Sequence, residues 1–448
     1  MDESDAMSDD NLMLDQLQRG TFEYFRKEVN PANGLVADCT KTDPVCSIAA
    51  VGLALTAYPV AVERGFLNRT LAIERTLATL RFFWNSPQGE QPDATGYKGF
   101  YYHFLDMQTG QRSGHVELST IDTAILIAGA LAAALYFSGV TPAEREIREL
   151  ADQLYQRVDW LWALNQGRTV VLGWTPETGF YGYRWKGYNE ALLLYILGLG
   201  SPTYPLPIES YQEFTAGYQV HWKQVYGHEM LYAGSLFIHQ LPQFWLDLRD
   251  LQDDFMREKQ WDYFENSRLA TQLQQEYAIR NPFQFNLYHE HCWGFTASEG
   301  PGPDSRQIAG IDRYFFGYEQ RGAPFGPDDG TIAPWVAVAS LPFVPEIVLP
   351  TIRYFQALNI HEPADGGYGF KATFNATYQA NDQEFDVEPT QIKSNAIWVS
   401  PWYYGINQGP IILMIENYRT QLIWRLMQQS PYIQVGLRKA GFRGGWLP

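Results

Sequence analysis

The stretch from Gly96 to Ala124, GYKGFYYHFLDMQTGQRSGHVELSTIDTA, gathers the side chains of this 448-residue chain best suited to chemistry. An aromatic block is followed by His103, Asp106, Arg112 and Glu117, and then by Asp122 in the first turn of a helix that Ser119 or Thr120 would cap. Further on, GYRWKGYNEALLLYILGLGSP repeats the order: aromatics, an acid (Glu190), then an apolar helix. Glycoside hydrolysis needs two carboxyl groups of unlike proton affinity. One protonates the leaving oxygen, and the other activates water or attacks directly. Burial against aromatic walls raises the pKa of the acid. Glu117, Asp122 and Glu190 are therefore the candidate catalytic residues. A separation of about 6.5–9.5 Å between the working pair would mean inversion and about 5 Å retention.

Each acid also has a plainer reading. A first-turn acid satisfies the helix dipole, and Glu190 follows Asn189, another capping type. The recurrence of acids beside aromatics at two helix starts is what favours chemistry. Around them, Tyr101, His103, Asp106, Arg112, Trp174, Trp185, Tyr188, Trp293 and Trp402 are candidate substrate-binding residues, with Trp398 and Tyr403 as further stacking rings. Any one of these aromatics could equally be core, and Arg112 could equally be a structural ion-pair partner.

Helical patterns dominate, and strand patterns are scarce. The apolar periodicity predicts helices over 11–28, 47–63, 69–84, 119–138, 142–163, 189–199, 208–220, 230–248, 252–279, 332–340, 346–359 and 410–428. Those starting near Ser47, Ser119, Asn189, Met230, Ile332 and Pro410 are mostly apolar, whereas those near Asn68, Thr141 and Asp254 are amphipathic. Alternation of that kind suits two concentric rings: inner helices touch neighbours on all faces and outer ones keep a wet face. The fold expected is all-α, an (α/α)6 barrel. Long loops at 85–117, 164–188, 280–330 and 361–409 precede the apolar helices and would collect over one end, with the acids on that rim. No linker divides the chain. Residues 1–19 form an acidic extension, partly disordered or part of the first helix, and 20–448 a single domain.

Hydrophobic residues make up 46% of the chain and charged residues 19%, enough for a large core. Aromatics reach 15%, high enough to suit sugar stacking as well as a core. A net charge of −17 repels phosphate backbones and anionic membranes, which argues against nucleic acid as a partner. Cys39, Cys46 and Cys292 give no disulfide framework, and free buried thiols are expected. The run from Thr123 to Ala143 has the length of a membrane span, but its Ala and Gly content and charged flanks read as a buried helix. The start, MDESDAMSDD, has no basic or apolar leader region, so a cytoplasmic protein is expected if Met1 is the native start, and a periplasmic or secreted one if the chain has been trimmed. YHEHCW at 288–293 is too incomplete for a zinc site, GPDDG at 326–330 reads as a turn, and GGYGF at 366–370 lacks the setting of a nucleotide loop.

Taken in order, the blocks NGLVADCT, SIAAVGLALTAYPVAVERGF, GYKGFYYHFLDMQTGQR, ELSTIDTAIL, GWTPETGF, GYNEALLLYILGLGSPT, SLFIHQ, DGTIAPWVAVASLPFVPE, GYGF and GPIILMIENYRT resemble the glycoamylase-like proteins, the group that includes bacterial endo-β-1,2-glucanases of glycoside hydrolase family 144. The likeness runs from about Gly20 to Leu437. It implies an (α/α)6 barrel, hydrolysis of β-1,2-glucan with inversion, a glucan as partner, and no metal or organic cofactor; a monomer is expected. It places candidate carboxylates on the blocks holding Glu117, Asp122 and Glu190, with Glu190 or Asp122 as proton donor and Glu117 positioning water. One departure stands out. The family commonly reads IDQGP where this chain reads INQGP, so the amide Asn407, a candidate substrate-binding residue, replaces an acid. Two other readings remain open: a glucoamylase-type α-glucan hydrolase, and a non-catalytic glucan-binding or glucan-synthesis accessory protein.

Overall fold

A computed structural model describes residues 3–360, 367–379, 392 and 396–447. Parts of the predicted 361–409 loop, and Gly366 of GGYGF, lie outside them.

The chain is predominantly helical, and the expected alternation is present. Helix α1 spans Glu3–Lys27 and takes in most of the acidic extension. Helix α2 (Ile48–Glu63) starts where the Ser47 hydroxyl accepts the Ala50 N–H, and residues 48–61 are all buried. Helix α4 (Thr120–Tyr136) starts on Ser119 and is buried almost throughout to Ala133, and all of α6 (Leu192–Gly200) is buried. The amphipathic α3 (Arg69–Asn85) and α5 (Pro142–Arg157) bury only one face, in α5 the Ile147, Leu150, Ala151, Leu154, Tyr155 side. Small residues let the inner helices approach closely. A Cβ on Gly129 would lie 2.0 Å from the carbonyl oxygen of Gly52, so α2 and α4 touch backbone to backbone there. Among the described residues, no helix is long and apolar enough to cross a membrane, and the run from Thr123 is enclosed by protein as far as Ala133. Cys39, Cys46 and Cys292 are buried free thiols.

Several predicted helices are broken. The 230–248 pattern opens as a strand, His228–Leu231, paired with Trp222–Val225, and only Phe237–Gln240 forms an α turn, followed by a 3-10 turn carrying Pro242. The 252–279 pattern divides into Asp254–Lys259 and Tyr263–Arg280 because Gln260 turns left-handed at φ 55°. The last pattern starts earlier than predicted, at Gly405 with Pro410 inside it. It then breaks at Gln421 (φ 58°) into Gly405–Thr420 and Leu422–Gln428. The 208–220 pattern also splits, into Ile208–Thr215 and Tyr218–His221.

The long loops are not structureless. They hold short antiparallel strands that run straight into helix starts. Gly96–Tyr97, Phe100–Tyr102, Leu118–Ser119, Gly173–Thr175 and Gly179–Phe180 form one sheet in that order, and Leu118–Ser119 feeds α4. Cys46–Ser47, paired with Phe104–Leu105, feeds α2. Thr331–Ile332, in a sheet with Phe374–Asn375 and Trp398–Val399, leads into Pro334–Val338. Each pairing fixes a loop side chain against a helix N-terminus, and this is how the candidate residues are positioned.

Candidate active site

The register Tyr102↔Leu118 sets His103 opposite Glu117, and the His103 N–H donates to the Glu117 carbonyl at 2.9 Å. Their side chains meet as well, with Nδ1 2.9 Å from Oε1. The other ring nitrogen, Nε2, lies 3.7 Å from Oδ2 of Asp122. The imidazole thus bridges two of the three candidate acids, and it is stacked on Phe104 at 4.0 Å. Asp122 is held from the other side: Ser119 caps α4 by accepting the Asp122 N–H, and its hydroxyl donates to Oδ2 at 2.5 Å.

The electrostatics separate the acids. Burial works to raise Glu117, but the hydrogen bond and charge of His103 outweigh it and hold the carboxyl below its ordinary value. Burial would lower His103, yet the charge of Asp122, the hydrogen bond and charge of Glu117, and the charge of Asp38 raise it to about 9. Glu190 goes the other way. Burial first, then the negative charge of Asp122, push it up to about 7. Below about pH 7 Glu190 thus keeps its proton while Glu117 is held ionised. His103 should titrate by NMR near pH 9 in the wild type and move toward 6.5 in Glu117→Gln. Because its pKa is raised on folding, its stabilising contact is fully present below about 6.5 and is lost as pH rises through about 9.

Glu190 lies outside its helix rather than in the first turn. Helix α6 begins at Leu192 after Ala191, and the Asn189 side chain spans the preceding turn, accepting the Ala191 N–H and donating to the Lys186 carbonyl. A buried network anchors this turn. The Tyr188 hydroxyl donates to Nδ1 of His239 (2.8 Å), which also lies 3.2 Å from the Asn266 amide nitrogen, while Nε2 faces the Ala233 carbonyl.

The remaining candidates divide. Trp185 is half-buried and donates to the Thr120 hydroxyl at the start of α4, and Trp402 and Trp398 are half-buried. Trp174 packs with Tyr97 and Trp162 behind the Leu118–Ser119 strand. Tyr101 and Trp293 are fully enclosed and offer no surface to a ligand. The Tyr101 hydroxyl instead donates to the Phe83 carbonyl. Tyr188 and Tyr403 are buried too. Arg112 does not reach the acids by hydrogen bond: it is buried against the Tyr102 ring and forms a two-pronged pair with Glu177, closing the 112–117 loop. Asp106 folds its own exposed turn by accepting from Gln108 and Thr109. Asn407 is buried near the start of the Gly405–Thr420 helix, and its amide makes no side-chain hydrogen bond among the described residues. Among those residues no cluster of three or more His, Cys, Asp or Glu could hold a metal.

The structure adds residues absent from the sequence reading. Asp38 senses the charges of His103 and Asp122, and burial raises its pKa. Its backbone is fixed twice, by its N–H to the Val45 carbonyl and by its carbonyl from the Gly405 N–H. The Cys39↔Tyr404 bridge brings up Tyr404, whose hydroxyl donates to Glu299 (2.9 Å). A lone acid within the apolar run LVADC was the available signal for Asp38.

The chain and its fold have counterparts among known proteins. A family described as "Putative glucoamylase" matches residues 182–431, more than half the chain, and the chain belongs to this glycoamylase family. A protein from Bacteroides uniformis with the same description is 30% identical, and its crystal structure superposes with a TM-score of 0.83 over 98% of this chain and 99% of that one. An endo-β-1,2-glucanase from Chitinophaga pinensis, solved with sophorotriose and glucose, is 25% identical with a TM-score of 0.82 over 98% of this chain and 99% of that one. An exo-β-1,2-glucooligosaccharide sophorohydrolase (non-reducing end) of Parabacteroides distasonis is 27% identical over 96% of this chain. The chain spans 58% of the length of that curated relative.

Proposed function

We propose that this chain is a glycoside hydrolase that cleaves β-1,2-linked glucan with inversion, its helices from residue 20 onward closing into one (α/α)6 barrel with the acids on the rim. The observation that carries the reading is the pairing of Glu190, near pKa 7, with carboxylates held by His103. Glu190 protonates the leaving glycosidic oxygen. Glu117, with Oε1 taken by His103, uses its other oxygen to orient and deprotonate water on the opposite face of the sugar. Burial, aided by the charge of Asp122, favours the protonated form of Glu190. The β-1,2 linkage is supported by two relatives named for β-1,2-linked substrates, of which the Chitinophaga pinensis enzyme is also of similar fold and length.

The experiment is a reducing-sugar and chromatographic assay on linear β-1,2-, β-1,3-, β-1,4-, β-1,6- and α-1,4-glucans. Short β-1,2-linked products in one lane alone are expected. Release from α-1,4-glucan instead would replace this reading by a glucoamylase-type one. The rate should fall as pH rises through about 7, because the donor must carry its proton.

One observation favours a second reading, a glucan-binding accessory protein without turnover. Asn407 presents an amide, which can neither accept a proton at neutral pH nor carry negative charge, where the family commonly has an acid. Silence in every lane with calorimetric glucan binding retained would select that reading, and Asn407→Asp is then the reversion to make.

A further inference from the structure

Tyr318 is 76% exposed, so its ring is open to a ligand. The backbone that carries it is fixed nonetheless. Arg321 is fully buried, and its guanidinium pairs with both oxygens of Asp329, at 2.8 and 2.7 Å. The same guanidinium donates to the carbonyls of Ser298, Phe316 and Gly317, and Asp329 accepts the Phe316 N–H. The segment 316–321 is thus tied down on both sides of Tyr318.

The neighbourhood is that of the acids. Ser298 pairs with Glu319, which puts Tyr318 beside Glu299. The Glu299 carboxylate accepts from Tyr404 and Ser400, and Tyr404 is bridged to Cys39, next to Asp38. The Tyr318 hydroxyl also senses the charges of Glu190 and Asp122, and burial raises its pKa although the ring is exposed.

We infer that Tyr318 is a stacking platform for a glucosyl unit bound beside the reacting one, with Glu299 on the same wall to accept sugar hydroxyls. The inference rests on the proposed glucan substrate. A ring held on a clamped backbone binds without first paying to order its loop, and its open face suits the flat, apolar side of a β-linked glucose. Such a contact acts on binding more than on the chemical step.

The test compares wild type, Tyr318→Ala and Tyr318→Phe on linear β-1,2-glucan, by steady-state kinetics and by calorimetric binding. Tyr318→Ala should raise KM and Kd on the order of tenfold, or about 1.4 kcal/mol, with kcat within about threefold. Tyr318→Phe should stay within about twofold of wild type, because the ring face remains. A wild-type KM and Kd in Tyr318→Ala overturns the inference and leaves the hydrolase reading intact. Equal damage from Ala and Phe also overturns it, since the hydroxyl rather than the ring would then be acting. Wild type that binds this glucan but never cleaves it, with binding lost in Tyr318→Ala, keeps the platform and removes the hydrolase reading. Neither binding nor cleavage by wild type overturns both.

Discussion

Glu190→Gln is expected to lower the rate of glucan hydrolysis by about 10²–10⁴-fold while glucan binding and thermal unfolding stay close to wild type. Gln keeps the size of Glu but has no acidic proton to give. The side chain is half-buried, and burial raises Glu190 to about 7, so in an assay run below that pH the amide replaces a group of equal charge. That makes the substitution a cleaner probe than Asp122→Asn. Asp122 accepts from Ser119 at the start of α4 and faces His103, so its loss would disturb the cap and the imidazolium as well as the chemistry. The pH profile sharpens the test. In the wild type, the limb near pH 7 reports Glu190, and in Asp122→Asn that limb should move to lower pH because a negative neighbour has gone. A Glu190→Gln variant within tenfold of wild type would reassign the proton donor.

Much of this site could be read from residue order because its parts are local. Ser119 caps α4, Asp122 follows three residues on, and Glu117 is two residues before the cap, so a single strand-to-helix junction fixes all three. The alternation of enclosed and wet helices was equally legible, since an apolar run such as TAILIAGALAAAL has no side to give to water. What failed to show has specific physical reasons. Gln260 and Gln421 break helices in left-handed conformations without the Gly or Asn that usually marks them. Met230 and Leu231 fit a helical period, yet pairing with Trp222–Val225 claims them for a strand. Tyr101 and Trp293 have the composition of sugar platforms but sit in the core, whereas Tyr318 is exposed. Asp38, Glu299 and Tyr318 are brought together from distant segments, through bridges such as Cys39↔Tyr404 that no local pattern encodes.

Asp329→Ala should cost about 3–5 kcal/mol of stability, read as a shift in the urea midpoint, because it strands the Arg321 guanidinium in the core without its counter-charge. Both side chains are essentially inaccessible, at 1% and 0% exposure, so water cannot replace the lost carboxylate. The Ala variant also orphans the Phe316 and Thr331 N–H groups, each of which donates to Asp329. The double variant Arg321→Met, Asp329→Leu should recover part of the loss, since an apolar pair of similar size carries no desolvation cost. The stability of that double variant does not predict its function. Without the guanidinium, the Gly317 carbonyl loses its side-chain donor and the Phe316 carbonyl keeps only the Gly302 N–H, so the segment carrying Tyr318 loosens even in a folded protein. Its KM for β-1,2-glucan should then rise as in Tyr318→Ala, at temperatures well below unfolding. Wild-type KM in a restored double variant would mean that the buried ion pair serves the fold alone, and that other contacts hold the Tyr318 segment.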